Sequence, residues 1–317
     1  MPQNSRVTAK TARYIKLGGG GGWEAQCLKE GTMRLGYYEV PHELGLKRDK
    51  EAIKNIYKDT AGSAGSASDH ARQVVDFYDP SPDVLWITFA DGHLWWAKAT
   101  PEITYYGNDP AIHIEGSRAR KTVDGWHKAS LGGKALRILD LNGDLTKTGA
   151  YRGTMCDLKP HMRDYVLRKI NDESLPELVE AQEAMASLLH AVQRMIAMLH
   201  WRDFELLVEL VFSHSGWQRV SVVGDGLKTT DIELLLPVTG ERAMVQVKSQ
   251  TSQAQLDEYI AAFARWDMQR LFYVYHTLND AMALDVDDPR VTLIGPEKLC
   301  TMVLRAGLVE WLMGKVG

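Results

Sequence analysis

The chain has 317 residues, of which 45% are hydrophobic and 25% charged, with a formal net charge of −4. That length and composition admit two domains with sizeable cores and exclude a chain disordered throughout, and no apolar run reaches the ~20 residues of a membrane-spanning helix. Cys27, Cys156 and Cys300 are single, far apart and odd in number, which excludes a disulfide framework and a CxxC metal site.

The charge is unevenly spread. Residues 1–157 carry 21 Lys and Arg against 19 Asp and Glu, whereas residues 158–317 carry 16 against 22. An acidic half suits a metal centre, but contact with a polyanion would then come from local patches or from the other half. The N-terminus, MPQNSRVTAKTARYIK, has basic residues without a following apolar signal segment, so a cytoplasmic protein with no membrane partner is expected.

Along the chain, Arg13 to Leu17 reads as a strand leading into LGGGGGW. This run lacks GK[ST] and is followed by no helical pattern, so it reads as a flexible turn that permits close approach of a ligand or backbone, not as a phosphate cradle. Helices are expected over Asp49 to Lys58 and Ser68 to Tyr78, separated by the glycine/serine run Ala61 to Ser66. The clearest hairpin is VLWITFA, Asp91-Gly92, HLWWAKA, because Asp-Gly favours a type I′ turn. Pairing Ala90 with His93 puts Leu85, Ile87, Phe89, Leu94 and Trp96 on a core face, and Trp86, Thr88, His93 and Trp95 on the other, which either closes a barrel or lines a base-stacking pocket. A strand pair at Ile103 to Tyr106 and Ile112 to Ile114, and a strand at Ala135 to Leu139, complete a mostly β half.

The Gly-rich entry, Trp23, the Met33 to Tyr37 strand with Gly36, the tryptophan hairpin and Gly125-Trp126 together resemble PUA-like domains, including the EVE branch. Such domains bind nucleic acid, and several extrude a modified base into an aromatic pocket. The resemblance implies base-binding roles for Trp23, Trp86, Trp95 and Trp126.

From Pro176 the apolar residues Leu178, Ala181, Met185, Leu188, Leu189, Val192, Ile196 and Leu199 recur at three- and four-residue steps, giving one long helix. Its stripe suits its own domain or a second copy, and a homodimer would bring two sites to the two strands of a duplex. A helix closed by Gly216 follows, then a short strand through Val220 to Val223. Next, TTDIELLLPVTGERAMVQVKS reads as a β-hairpin with Pro237 to Arg242 between its arms. If Ile232, Leu234, Val245 and Val247 face a core, Asp231, Glu233, Gln246 and Lys248 share the opposite face. Two carboxylates, an amide and an ammonium fit either metal-assisted hydrolysis or a plain solvated face. A helix at Ser252 to Arg265, strands at Leu271 to Tyr275 and Arg290 to Ile294, and a helix at Glu297 to Arg305 complete an α/β order.

The helix with DFE, the approach to Asp231, the QxK of Gln246 to Lys248, RLFYVYHT and VTLIGPEKLCTMV resemble, in that order, the catalytic domain of Mrr-like restriction endonucleases, members of the PD-(D/E)xK nuclease superfamily. The sequence departs from the family where Lys228-Thr229-Thr230 replaces a glycine-rich approach. The resemblance implies catalytic roles for Asp231, Gln246, Lys248 and Glu205. Asp231 and Gln246 would bind Mg²⁺ or Mn²⁺, and Glu233 drops behind Asp231. Gln in place of an acid leaves one fewer negative ligand, so one tightly required, weakly held ion is expected.

The implied architecture is an α/β restriction-endonuclease-like C-terminal domain, a mixed sheet flanked by helices, preceded by a small mostly-β PUA-like barrel and a long connecting helix. Its expected boundaries are 1–157 for the DNA-reading domain, 158–200 for the helical linker and 201–317 for the nuclease. The implied activity is modification-dependent, type IV-like cleavage of double-stranded DNA. The alternatives are a catalytically silent nucleic-acid or assembly adaptor, and a nuclease gated by a small-nucleotide or protein sensor.

Overall fold

A computed structural model describes residues 6–220, 232–265, 268–280 and 282–317. The chain is mixed α/β and divides into two compact units, Met1–Ser174 and Leu175–Gly317.

The first unit runs β1 (Thr11–Ile15), α1 (Glu24–Glu30), β2 (Thr32–Leu35), α2 (His42–Lys47), α3 (Lys50–Ile56), α4 (Ala64–Phe77), β3 (Val84–Ala90), β4 (His93–Ala99), β5 (Thr104–Tyr105), β6 (Arg118–His127), α5 (Gly143–Thr146), β7 (Met155–Asp157) and α6 (Pro160–Ile170). The strands form one curled mixed sheet in the order β2-β6-β4-β3-β1-β7, with β5 also on β6; β1 and β3 are parallel and the other pairs antiparallel. The β3–β4 hairpin has the expected register, Ala90 opposite His93 and Thr88 opposite Trp95, and both turn residues, Asp91 and Gly92, have the positive φ of a type I′ turn.

Both faces of this hairpin are buried. Leu85, Ile87, Leu94 and Trp96 pack with Met162, Val166 and Ile170 of α6, while Trp86 and Ala97 pack with Met33, Leu35, Val74 and Phe77. The tryptophan face therefore belongs to a second core layer under α4.

Several expected elements differ. Helix α4 begins at Ala64, inside the glycine/serine run, because Ser63 caps it by accepting from the Ser66 amide. Ile112 to Ile114 is a turn, with the Ile112 and His113 amides donating to the Asp109 carbonyl, and β5 pairs instead with β6. Ala135 and Arg137 make only isolated bridges, and Ile138 and Leu139 enter a short 3-10 helix, Ile138–Asp140.

The second unit runs α7 (Pro176–Met198), α8 (Trp201–His214), β8 (Gln218–Arg219), β9 (Ile232–Leu236), β10 (Glu241–Thr251), α9 (Gln253–Phe263), β11 (Arg270–Leu278), β12 (Val291–Ile294), α10 (Pro296–Arg305) and α11 (Val309–Val316). Its sheet order is β12-β11-β10-β9-β8, antiparallel from β8 to β10 and parallel from β10 to β12. A parallel pair needs a crossover, which α9 supplies. Ile232, Leu234, Val245 and Val247 pack with Phe204, Leu207, Val208 and Val211 of α8 on one face, and α9 covers the other through Leu256 and Phe263.

Residues 158–200, expected as a linker, are shared between the units. Helix α6 is built into the core of the first and α7 into that of the second, where Val192 and Ile196 are buried. Further along the same stripe, Leu178, Met185 and Leu188 are exposed.

Candidate functional site

Strand β10 is the inner strand of its sheet and sets the side chains of Gln246 and Lys248 two residues apart, hence on one face. Their parallel neighbours on β11 are Tyr273 and Tyr275. This face is covered: Gln246 is 1% exposed, Lys248 is half-buried, and its ammonium lies 5.0 Å from the centroid of the Tyr259 ring on α9. The hairpin is formed as expected, with Val245 opposite Ile232, but a solvated polar face is ruled out for Gln246.

Glu233 pairs with Arg242, so its carboxylate is engaged. Glu205 is half-exposed on α8, whose buried stripe covers the sheet face opposite to that of Gln246 and Lys248. Asp231 lies outside the described residues. A hard cation takes several oxygen ligands, and among the described residues no cluster of three His, Cys, Asp or Glu gathers. The donor chemistry on the β10 face therefore suits a divalent ion only when Asp231 joins the Gln246 amide oxygen.

The first unit holds a cavity of about 540 Å³, within the roughly 300–1,000 Å³ of small-ligand sites. Its walls come from the segments after β1 and β2, the end of α3, and α4: Trp23, Tyr37, Tyr38, Tyr57 and His70. Tyr37, Tyr57 and His70 meet edge to face, with ring centroids 4.9 to 6.0 Å apart. Burial raises the pKa of all three tyrosines, so they stand as neutral phenols at physiological pH. The buried His70 Nδ1 has no hydrogen-bond partner among the described residues. Lys16, Arg152 and the exposed Glu39, which accepts from the Tyr57 hydroxyl at 3.1 Å, complete the lining.

Two backbone features fix these walls. Tyr37 has a φ of 49°, unusual for a bulky residue, and the fully buried Arg118 holds it by donating to the Tyr37 and Val40 carbonyls at 3.0 and 2.8 Å. At Gly18, φ is 87° and a Cβ would lie 2.8 Å from the Trp23 ring, so glycine alone lets the loop pass behind the indole. The glycine run is thus one wall of an aromatic cavity.

No family model, curated protein or solved structure matches the chain.

Of the four tryptophans expected to bind a base, only Trp23 lines this cavity. Trp86 is fully buried, with the Arg13 and Arg120 guanidiniums 5.8 and 5.9 Å from its ring centroid, and Trp126 is buried with its indole N–H on the Thr32 carbonyl at 2.8 Å; neither is open to a ligand. Trp95 is half-buried, donates to the Ala90 carbonyl and lies under Lys128. Sequence reasoning missed Tyr37, Tyr38, Tyr57 and His70, which come from three separate segments, the turn after β2, the end of α3 and α4, and share no periodic signal. A larger cavity in the second unit, about 570 Å³, is lined by Asp257, Asp280, Asp285, Asp287 and Asp288, whose charge disfavours a phosphodiester.

Proposed function

We propose that the chain is a metal-dependent DNA endonuclease of the modification-dependent kind: the first unit takes up a modified base in its aromatic cavity and the second hydrolyses a phosphodiester. One observation carries this reading, the burial of Gln246 on an inner strand, one side-chain position from Lys248. Apolar side chains there would pack without the desolvation penalty of an amide and an ammonium, and positions that break core patterning against stability are where function is expected.

Asp231 and Gln246 would hold Mg²⁺ or Mn²⁺, which when bound supplies charge neutralisation and an activated water. Lys248 places an ammonium where negative charge develops on the phosphoryl oxygens, stabilising the transition state more than the ground state. The Tyr259 ring beneath that ammonium limits the positions it can take. Glu205, on α8, would join Asp231, Gln246 and Lys248 in the catalytic set as the resemblance implies.

For the first unit, support comes from the enclosure of Trp23, Tyr37 and Tyr38 around one space, since stacking on aromatic faces contributes about 1–3 kcal/mol per base. His70 lines the same space. Exposed Leu178, Met185 and Leu188 on α7 suit a second copy of the chain, which would supply the second strand's cut.

The test is cleavage of duplex DNA in Mg²⁺ by the wild-type protein, Lys248→Ala and Asp231→Ala. Both variants should bind DNA as the wild type does and cut at least 100-fold more slowly. Cutting at the wild-type rate by either variant would remove the assigned chemistry. A wild-type protein that binds but never cuts would favour the silent adaptor.

A further inference from the structure

The segment between β5 and β6 ends in an exposed apolar tip. Ile112 and Ile114 are 71% and 70% exposed, two β-branched side chains open to water on the same turn. The turn is a built one, since the Ile112 and His113 amides both donate to the Asp109 carbonyl at 3.2 and 2.9 Å. It is also fastened to the aromatic cavity. The Trp23 indole N–H donates to the Ile114 carbonyl at 3.2 Å, and the Tyr38 hydroxyl donates to the His113 carbonyl at 2.5 Å while accepting from the Gly116 amide at 3.1 Å. Two walls of the cavity therefore hold the backbone that presents the two isoleucines. The neighbouring Glu115 is paired with Arg34 at 2.5 Å, so its charge is offset beside the tip.

An extruded base leaves a gap in the duplex and two unstacked neighbours, which opposes extrusion. Apolar side chains pushed into such a gap recover part of the lost contact and kink the duplex. We infer that Ile112 and Ile114 are a wedge that enters the base step vacated when a base moves into the cavity of the first unit. This rests on the reading of that cavity as a base site, and it commits the exposed tip to one occupant, a duplex base step. The stiffness of β-branched side chains suits the role, because little rotamer freedom is lost on insertion.

The full-length protein tests this with duplexes carrying 5-methylcytosine, 5-hydroxymethylcytosine or N6-methyladenine, each with 2-aminopurine beside the modified base. On the duplex bound most tightly, the wild type should raise 2-aminopurine fluorescence. The double variant Ile112→Ser/Ile114→Ser should bind that duplex at least 10-fold more weakly and lose the fluorescence rise. It should bind the single strand of the same sequence within twofold of wild type, and recover most of its duplex affinity when an abasic site faces the modified base. Its melting temperature checks that the turn still folds. If the wild type responds and the double variant binds and responds equally, the wedge is wrong while the base site stands. If the wild type prefers none of the modified duplexes, the base site and the wedge fall together. If duplex and single strand lose affinity equally in the double variant, the tip is a general contact and not a wedge.

Discussion

Gln246 is the residue on which chemistry and stability separate most cleanly. A buried amide recovers its desolvation cost through its hydrogen bonds, so replacing it with an apolar side chain of similar volume keeps the packing and costs about 1–3 kcal/mol through the partner left unsatisfied. Gln246→Met should therefore still fold cooperatively, with its stability lowered by no more than about 3 kcal/mol, while cleavage falls at least 100-fold. Thermal denaturation and a cleavage assay on the same preparation check this. A variant that unfolds would make Gln246 a structural residue, and one that cuts normally would take it out of the site. On the first unit, Gly18 and Tyr37 show the same logic in the backbone. One permits the indole to close over the loop, and the other keeps a strained φ with Arg118 bonded to its carbonyl.

At the scale of elements, β11 carries a titration that is absent from its neighbours' roles. Burial lowers the pKa of His276 below its ordinary 6.5, with its ring edge-on to Phe204 at 4.7 Å. The unfolded chain then takes up a proton that the folded chain resists. The stabilising contribution is present above pH 6.5 and is lost as pH falls through the folded value. His276→Phe keeps the edge contact and removes the titration, so on acidification from about pH 7 to 5 it should lose less stability than the wild type. Denaturant titrations at both pH values check this, and parallel losses would contradict it.

The second unit's order was legible because its strands and helices keep clean periods. The β9–β10 hairpin, α9, β11, β12 and α10 fall where alternation and three-to-four spacing put them. The first unit was less so, and β6 shows why. Its inward positions include Arg118 and Arg120, 0% and 1% exposed, whose guanidiniums are satisfied by backbone carbonyls, so a buried strand reads as a polar one. The reverse error placed a strand at Ile112 to Ile114, where the apolar side chains face water. The candidate site divided along the same line. Gln246 and Lys248 were visible from alternation within one strand, whereas the cavity's Tyr37, Tyr57 and His70 converge from separate elements.

At the scale of the whole molecule, two units with separate cores divide the labour proposed here: one reads and the other cuts. Such a division predicts that selectivity and chemistry can be removed independently, because each depends on side chains of only one unit. The direct measurement is the rate of cleavage, in Mg²⁺, of a duplex carrying the preferred modified base against the unmodified duplex of the same sequence. The wild type should cut the modified duplex at least 10-fold faster. Trp23→Ala/Tyr37→Ala should abolish that preference, and Lys248→Ala should retain selective binding and cut neither duplex. Equal rates on the two duplexes with the wild type, or a preference untouched by the double variant, would contradict the division.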